Sequence, residues 1–153
     1  MHLAAPPALR GPLHPLHAFL LSFPAPLFLG TLAADLAYAR SAEIQWSNFA
    51  QWLNAAGVFF AALALPAALI AALARRGTPE GRGVALHGLL LFAGWLAGLF
   101  NAFIHARDAW GIMPDALWWS AGSALLVLIA SWQAWRGFAP RHRWTGSTAR
   151  RRG

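Results

Sequence analysis

Long apolar runs separated by short polar segments dominate the sequence. Each run has about the ~20 residues that an α-helix needs to cross a bilayer. Four membrane spans are predicted, at residues 17–38, 49–74, 84–104 and 116–135. Because short connections favour antiparallel neighbours, the pattern predicts an all-α integral membrane protein folded as a four-helix up-and-down bundle. Pro24, Pro26 and Pro66 lie inside the spans, where neighbouring helices can accommodate kinks.

The composition supports a lipid environment and narrows the possible chemistry. Of 153 residues, 58% are hydrophobic and only 11% are charged, an apolar excess that a soluble domain of this size could not bury. Cysteine is absent, which excludes disulfides, thiolate metal sites and cysteine nucleophiles. A metal would therefore have to use histidine or carboxylate. Serines in the spans lack a nucleophile elbow, and no phosphate-binding glycine loop is present, so hydrolases are not favoured.

Arginine placement predicts the orientation, because basic residues near span ends are retained in the cytoplasm. Two arginines, Arg40 and Arg107, fall on one side. Ten fall on the other: Arg10, Arg75, Arg76, Arg82, Arg136, Arg141, Arg143, Arg150, Arg151 and Arg152. We therefore expect a multi-pass protein of the bacterial inner membrane with both termini cytoplasmic, an N-terminal segment at 1–16, a membrane domain at 17–136 and a disordered basic tail at 137–153. The arginines that set this orientation then account for the net charge of +7, and nucleic acid is not an expected partner.

A competing interpretation treats the first apolar run as a cleaved signal peptide, because residues 37–39 form an A-x-A-like site. The length of the run, its prolines and Asp35 argue against it.

The few ionisable residues inside the spans form two pairs with the same spacing. His17 and Asp35 lie eighteen residues apart in the first span, and His87 and His105 are equally separated in the third. Eighteen residues make five turns at 3.6 residues per turn, which places both members of a pair on one helix face. If the two faces meet, His17 and His87 form an inner layer near the cytoplasm. Asp35 and His105, with Asn101 one turn away, form an outer layer.

Two histidines that face each other in a four-helix bundle can be the axial ligands of haem b, so His17 and His87 are candidate cofactor ligands. Gly88, Gly94 and Gly98 would let a flat macrocycle approach the same helix, although small-xxx-small spacing more commonly serves helix packing. A zinc or copper site at His14, His17 and His87 is a weaker alternative. Either inner-layer histidine could instead snorkel to the headgroups or cap a helix end.

The outer layer has no second histidine and indicates different chemistry. Asp35 and His105 are candidates for a carboxylate–imidazole hydrogen bond, a proton-transfer element or a quinone contact, with Asn101 nearby. The alternative is a purely structural pairing of Asp35 with His105 or Arg107.

The stretch His-Pro-Leu-His-Ala-Phe-Leu-Leu-Ser-Phe-Pro at 14–24, followed by Asp35-Leu36, resembles an uncharacterised bacterial membrane family. Its members open with His-Pro-x-His-Pro, continue through Phe-Pro to Asp-Leu, and carry a histidine early in the third helix, matched by His87. Ala18 and Ser22 depart from the pattern. The resemblance covers most of residues 12–135. It implies four membrane helices and, from fusions to Rieske and c-type cytochrome modules, a place in membrane electron transfer.

These observations predict a small inner-membrane electron-transfer component that binds haem b and works with quinone or a redox partner protein. The alternative is a cofactor-free subunit that stabilises or anchors a larger complex. A transporter or channel is less favoured because no inverted repeat is apparent. Lipid is an expected contact, and a homo-oligomer is left open.

Overall fold

The computed structural model describes residues 15–107 and 111–138 and is helical throughout, with no strand in those two ranges. Its helices are α1 (Pro15–Leu21), α2 (Pro24–Ser41), α3 (Ile44–Ala74), α4 (Gly81–His105) and α5 (Asp115–Phe138). Four segments are long and apolar enough to cross a membrane: Pro15–Ser41, Ile44–Ala74, Gly81–His105 and Asp115–Trp135. The predicted all-α fold with four spans is therefore confirmed. Most of the N-terminal segment and of the basic tail lies outside the described residues.

The first span differs from the single helix predicted at 17–38, because it consists of α1 and α2. Ser22 and Phe23 interrupt it. Pro24 has no backbone N–H to donate to the preceding turn, which explains the position of the break, although Phe23 itself keeps helical φ and ψ angles of −85° and −44°. Ser22 completes the end of α1 by donating from both its backbone N–H and its hydroxyl to the Phe19 carbonyl. The five-turn spacing argument therefore does not apply to His17 and Asp35, which lie on different helices.

Helices α2 to α5 form the four corners of the bundle. Each packs against the next one along the chain, α5 also packs against α2, and α1 packs mainly on α3. Large apolar side chains cover the outside, and the exposed fractions of Trp52 and Trp118 reach 76% and 75%. A surface of this kind would be costly in water and is typical of helices that face lipid.

The apolar part of the core is divided into three clusters along the bundle. The outer cap consists of Tyr38, Ile104, Ile112 and Ala116. The central cluster consists of Phe28, Ala124 and Val127. The inner cluster consists of Leu21, Ala61, Ala64, Ala68, Leu91 and Ala130. Alanine predominates only in the inner cluster, so this part of the core is built from small side chains.

Phe28 occupies the bundle axis between two glycines. It is completely buried, and a Cβ atom added to Gly57 or Gly98 would lie 2.9 Å or 2.6 Å from its ring. Gly94 is covered in the same manner by Val127, whose Cγ2 would lie 2.6 Å from an added Cβ. The missing side chains at Gly94 and Gly98 thus make room for residues of neighbouring helices, which is the packing use of small-xxx-small spacing.

We predict that Gly98→Ala destabilises the bundle by about 1–3 kcal/mol, because its added Cβ would lie 2.6 Å from the ring of Phe28, which is completely buried. Gly122→Ala is the matched control, since nothing lies within 4 Å of its added Cβ, and it should stabilise α5 by up to about 1 kcal/mol. Equilibrium unfolding in mixed micelles by titration with sodium dodecyl sulfate measures both. Equal effects of the two substitutions would contradict the packing described for Phe28.

Candidate functional site: two buried polar layers

The inner layer brings His17 of α1 against His87 of α4. Both residues are buried, with 3% and 6% of their surface exposed. Their ring centroids are 6.0 Å apart, and the ring planes are perpendicular with an edge toward a face. The two imidazoles are therefore neighbours inside the bundle and do not snorkel out of it.

A backbone carbonyl holds the His87 ring in place. Nδ1 of His87 lies 2.9 Å from the Ala130 carbonyl oxygen. Because a carbonyl only accepts, Nδ1 carries the hydrogen and Nε2 of the neutral ring carries a free lone pair. This Nε2 atom is buried and has no hydrogen-bond partner. Metal-ligating histidines are commonly held by such a bond from their other nitrogen.

Other polar atoms in this half of the bundle also lack partners. His17 lies beside the Ala64 carbonyl, but neither of its ring nitrogens makes a hydrogen bond of good geometry. The Trp95 indole N–H and the Ser131 hydroxyl are buried without a partner as well. The Trp95 side chain packs against the inner cluster. Buried polar groups are normally hydrogen-bonded, so these unpartnered atoms make the inner layer a candidate binding site.

The weaker metal proposal cannot be built from the described residues alone. No group of three or more histidine, cysteine, aspartate or glutamate side chains converges within residues 15–107 and 111–138. His14, the third ligand predicted for a zinc or copper site with His17 and His87, lies outside those ranges.

The outer layer is a hydrogen-bonded chain between α2 and α4. Nε2 of His105 lies 2.9 Å from Oδ1 of Asp35, and Nδ1 of His105 lies 3.0 Å from the Asn101 carbonyl oxygen. The Asp35 and His105 side chains have no exposed surface. Arg107, the other partner considered for Asp35, instead lies 3.8 Å from Asp115 in an exposed ion pair. The structure therefore pairs Asp35 with His105.

This geometry limits the proton positions of the pair to two. Nδ1 of His105 must donate to the Asn101 carbonyl, so the state of the pair depends on its other nitrogen. Either Nε2 carries a second hydrogen and donates to an ionised Asp35, or a protonated Asp35 donates to Nε2. Both states have zero net charge and differ only in the place of one proton. The pair can thus hold a transferable proton in the membrane without burying a net charge.

Asn54 is a member of the polar core that the sequence did not single out. It is completely buried on α3, and its Nδ2 donates to the Gly98 carbonyl at 3.0 Å. Asn54 is not ionisable, so the cost of placing a charge in a span does not point to it. A buried amide within an apolar span was the available signal.

Together, the apolar exterior, the buried polar layers and the four spans define a multi-pass helical membrane protein with two neighbouring histidines inside the bundle. Residues 13–149 match the family model described as "Predicted membrane protein (DUF2231)", and the chain belongs to this family. The function of this family is unknown. No curated protein and no solved structure matches the chain.

We predict that removing one partner of the outer pair is far more harmful than replacing it with an amide. His105→Ala should cost about 3 kcal/mol or more because it strands a buried carboxyl group. Asp35→Asn should cost less than about 1 kcal/mol, since its amide can donate to Nε2 of neutral His105.

Unfolding in mixed micelles measures both variants, with Asp35→Ala and the double variant Asp35→Ala/His105→Ala completing a cycle. Because Asp35 and His105 bond to each other, we expect the cycle to give a coupling free energy of about 1–3 kcal/mol between them. Additive losses would show that the hydrogen bond contributes nothing to stability.

Proposed function

We propose that the protein is a small electron-transfer component of the membrane in which His17 and His87 bind one b-type haem. The observation that carries the proposal is the pair of buried imidazoles on different helices, with three of their four nitrogens unpartnered. Imidazole nitrogen is a common axial ligand of haem iron. When bound, the haem would supply one-electron redox chemistry.

The donor atoms of the two imidazoles suit such a group. The bond from His87 Nδ1 to the Ala130 carbonyl fixes that ring and leaves Nε2 available as a ligand. In the edge-to-face arrangement, one ring would have to turn a nitrogen toward the other ring before both histidines could hold one group. The inner cluster contains Leu21 and Leu91 beside Ala61, Ala64 and Ala68, so a macrocycle would require these side chains to move apart. Gly94 and Gly98 would not line the macrocycle, because Val127 and Phe28 fill the space beside them.

The arginine distribution supports a location in a bacterial inner membrane with both termini in the cytoplasm. The inner layer would then lie toward the cytoplasmic side, where a quinone or a redox partner protein could exchange electrons with it.

The expected result is a Soret band and an alpha band in the reduced-minus-oxidised spectrum of protein purified after haem-replete expression. His17→Ala and His87→Ala should each lose these bands, because each removes one ligand. His105→Ala is the matched control, since it removes a buried histidine of the outer layer and should keep them. Imidazole added to the His87→Ala protein should restore part of the spectrum by entering the vacated ligand position.

Size-exclusion chromatography and circular dichroism establish that each variant is folded before its spectrum is interpreted. If folded wild-type protein shows neither a Soret band nor an alpha band, the haem proposal is wrong. Bands that persist in both inner-layer variants would place the haem elsewhere.

A cofactor-free subunit that stabilises or anchors a larger complex is the second candidate. The observation in its favour concerns the cofactor: Val127 and Phe28 cover Gly94 and Gly98 within the bundle, so this glycine face leaves no gap for a macrocycle. On this hypothesis the unpartnered histidine nitrogens are tolerated in the core, and the folded protein shows no visible absorption.

A further inference from the structure

Unpartnered polar atoms are also concentrated in the outer half of the bundle. Gly98, Asn101 and His105 are spaced three and four residues apart, so they share one face of α4. Asp35 contacts one end of this stripe through His105, and Asn54 contacts the other end through the Gly98 carbonyl. The stripe extends over about 10 Å at 1.5 Å per residue. Asn101 lies between these two contacts, so three helices place polar groups along one short stretch of the axis.

Asn101 has no exposed surface, and both polar atoms of its amide lack partners. Oδ2 of Asp35 and Oδ1 of Asn54 are buried and unpartnered as well. Three of these four groups are oxygens that can accept hydrogen bonds, and one is an amide N–H₂ that can donate. A ligand that complements this set must offer O–H donors and be small enough for a closed core. Water has both properties, and buried water typically bridges about three such polar groups.

Two hydrophobic clusters bound this stretch, and the only polar side-chain group among their buried residues is the Tyr38 hydroxyl. The outer cap with Tyr38, Ile104 and Ile112 lies on one side, and the central cluster with Phe28 and Val127 lies on the other. The Phe28 ring contacts the position beside Gly98, immediately below the Asn54 hydrogen bond. An aromatic ring in this position offers no O–H or N–H for proton transfer. The polar groups of the outer layer are therefore separated from His17 and His87 by Phe28.

We propose that Asp35, Asn54, Asn101 and His105 form a proton-binding site bridged by internal water, and that Phe28 isolates this site from the inner layer. The shared proton of Asp35 and His105 would exchange with the bridging water. The site does not depend on haem, so its test is independent of the proposed electron transfer.

Proton flux into liposomes tests the barrier and the site together. Protein is reconstituted with an internal pH-sensitive dye, and a potassium diffusion potential set with valinomycin drives protons inward. Vesicles that contain wild-type protein should be nearly impermeable to protons, whereas Phe28→Ala should raise the proton flux at least several-fold. Phe28→Ala/Asp35→Asn should return it to the wild-type level, because the amide cannot take up and release the proton.

Leu91→Ala is the matched control, since it creates a cavity at a fully buried apolar position of the inner cluster and leaves Phe28 in place. It should remain tight. Phe28→Leu provides a milder opening if the alanine variant does not reconstitute. If vesicles with Phe28→Ala and vesicles with Phe28→Leu both stay impermeable to protons, the proposed role of Phe28 as a barrier is wrong. If Asp35→Asn leaves the proton flux of Phe28→Ala unchanged, the assignment of the proton-binding site is wrong.

Infrared spectroscopy of the wild-type protein tests the bridging water directly. A water O–H stretching band should shift when the solvent carries the heavy oxygen isotope, and Asn101→Leu should abolish it while Gln133→Leu, outside the site, should not. Absence of the band in wild-type protein, or its persistence in Asn101→Leu, would contradict bridging water at Asn101.

Discussion

The position of the Phe28 ring in the bundle axis determines how the rest of the core is organised. The ring starts on α2, fills the space left by Gly57 on α3 and reaches Gly98 on α4. It thereby joins helices at opposite corners of the bundle and places the central apolar cluster between two polar layers. Since a close-packed core accommodates little displacement, a side chain held between two backbones fixes the separation of the layers.

Polar residues of the core depend on protein groups for hydrogen bonds, because lipid offers them no partners. Thr31 and Ser120 satisfy themselves within their own helices, through the carbonyls of Leu27 and Ala116. Other bonds cross between helices, and α4 takes part in three of these: with α2 through Asp35, with α3 through Asn54 and with α5 through Ala130. Helix α4 is thus the element that connects the polar core, and both histidines of the third span belong to it.

The sequence predicted the spans well because lipid requires long apolar helices whatever their neighbours are. It also predicted that His87 and His105 lie on one helix face, and this prediction holds because α4 is continuous. For His17 and Asp35 the same argument failed at the break before Pro24, although both residues still reach the expected layers. The role of Phe28 could not be predicted, because the chain contains many apolar residues and the two complementary glycines lie on other helices.

The two layers differ in chemistry, and the direct electrostatic interaction between them is weak. His87 and His105 are about 27 Å apart along α4, from eighteen residues at 1.5 Å each. At an effective dielectric constant of about 20, two unit charges at that distance interact by only about 0.6 kcal/mol. The Asp35–His105 pair weakens this further, since its two proton positions have the same net charge. Strong coupling would need protons to pass along the axis between the layers, where the central cluster with Phe28 and the apolar side chains of the inner cluster separate them.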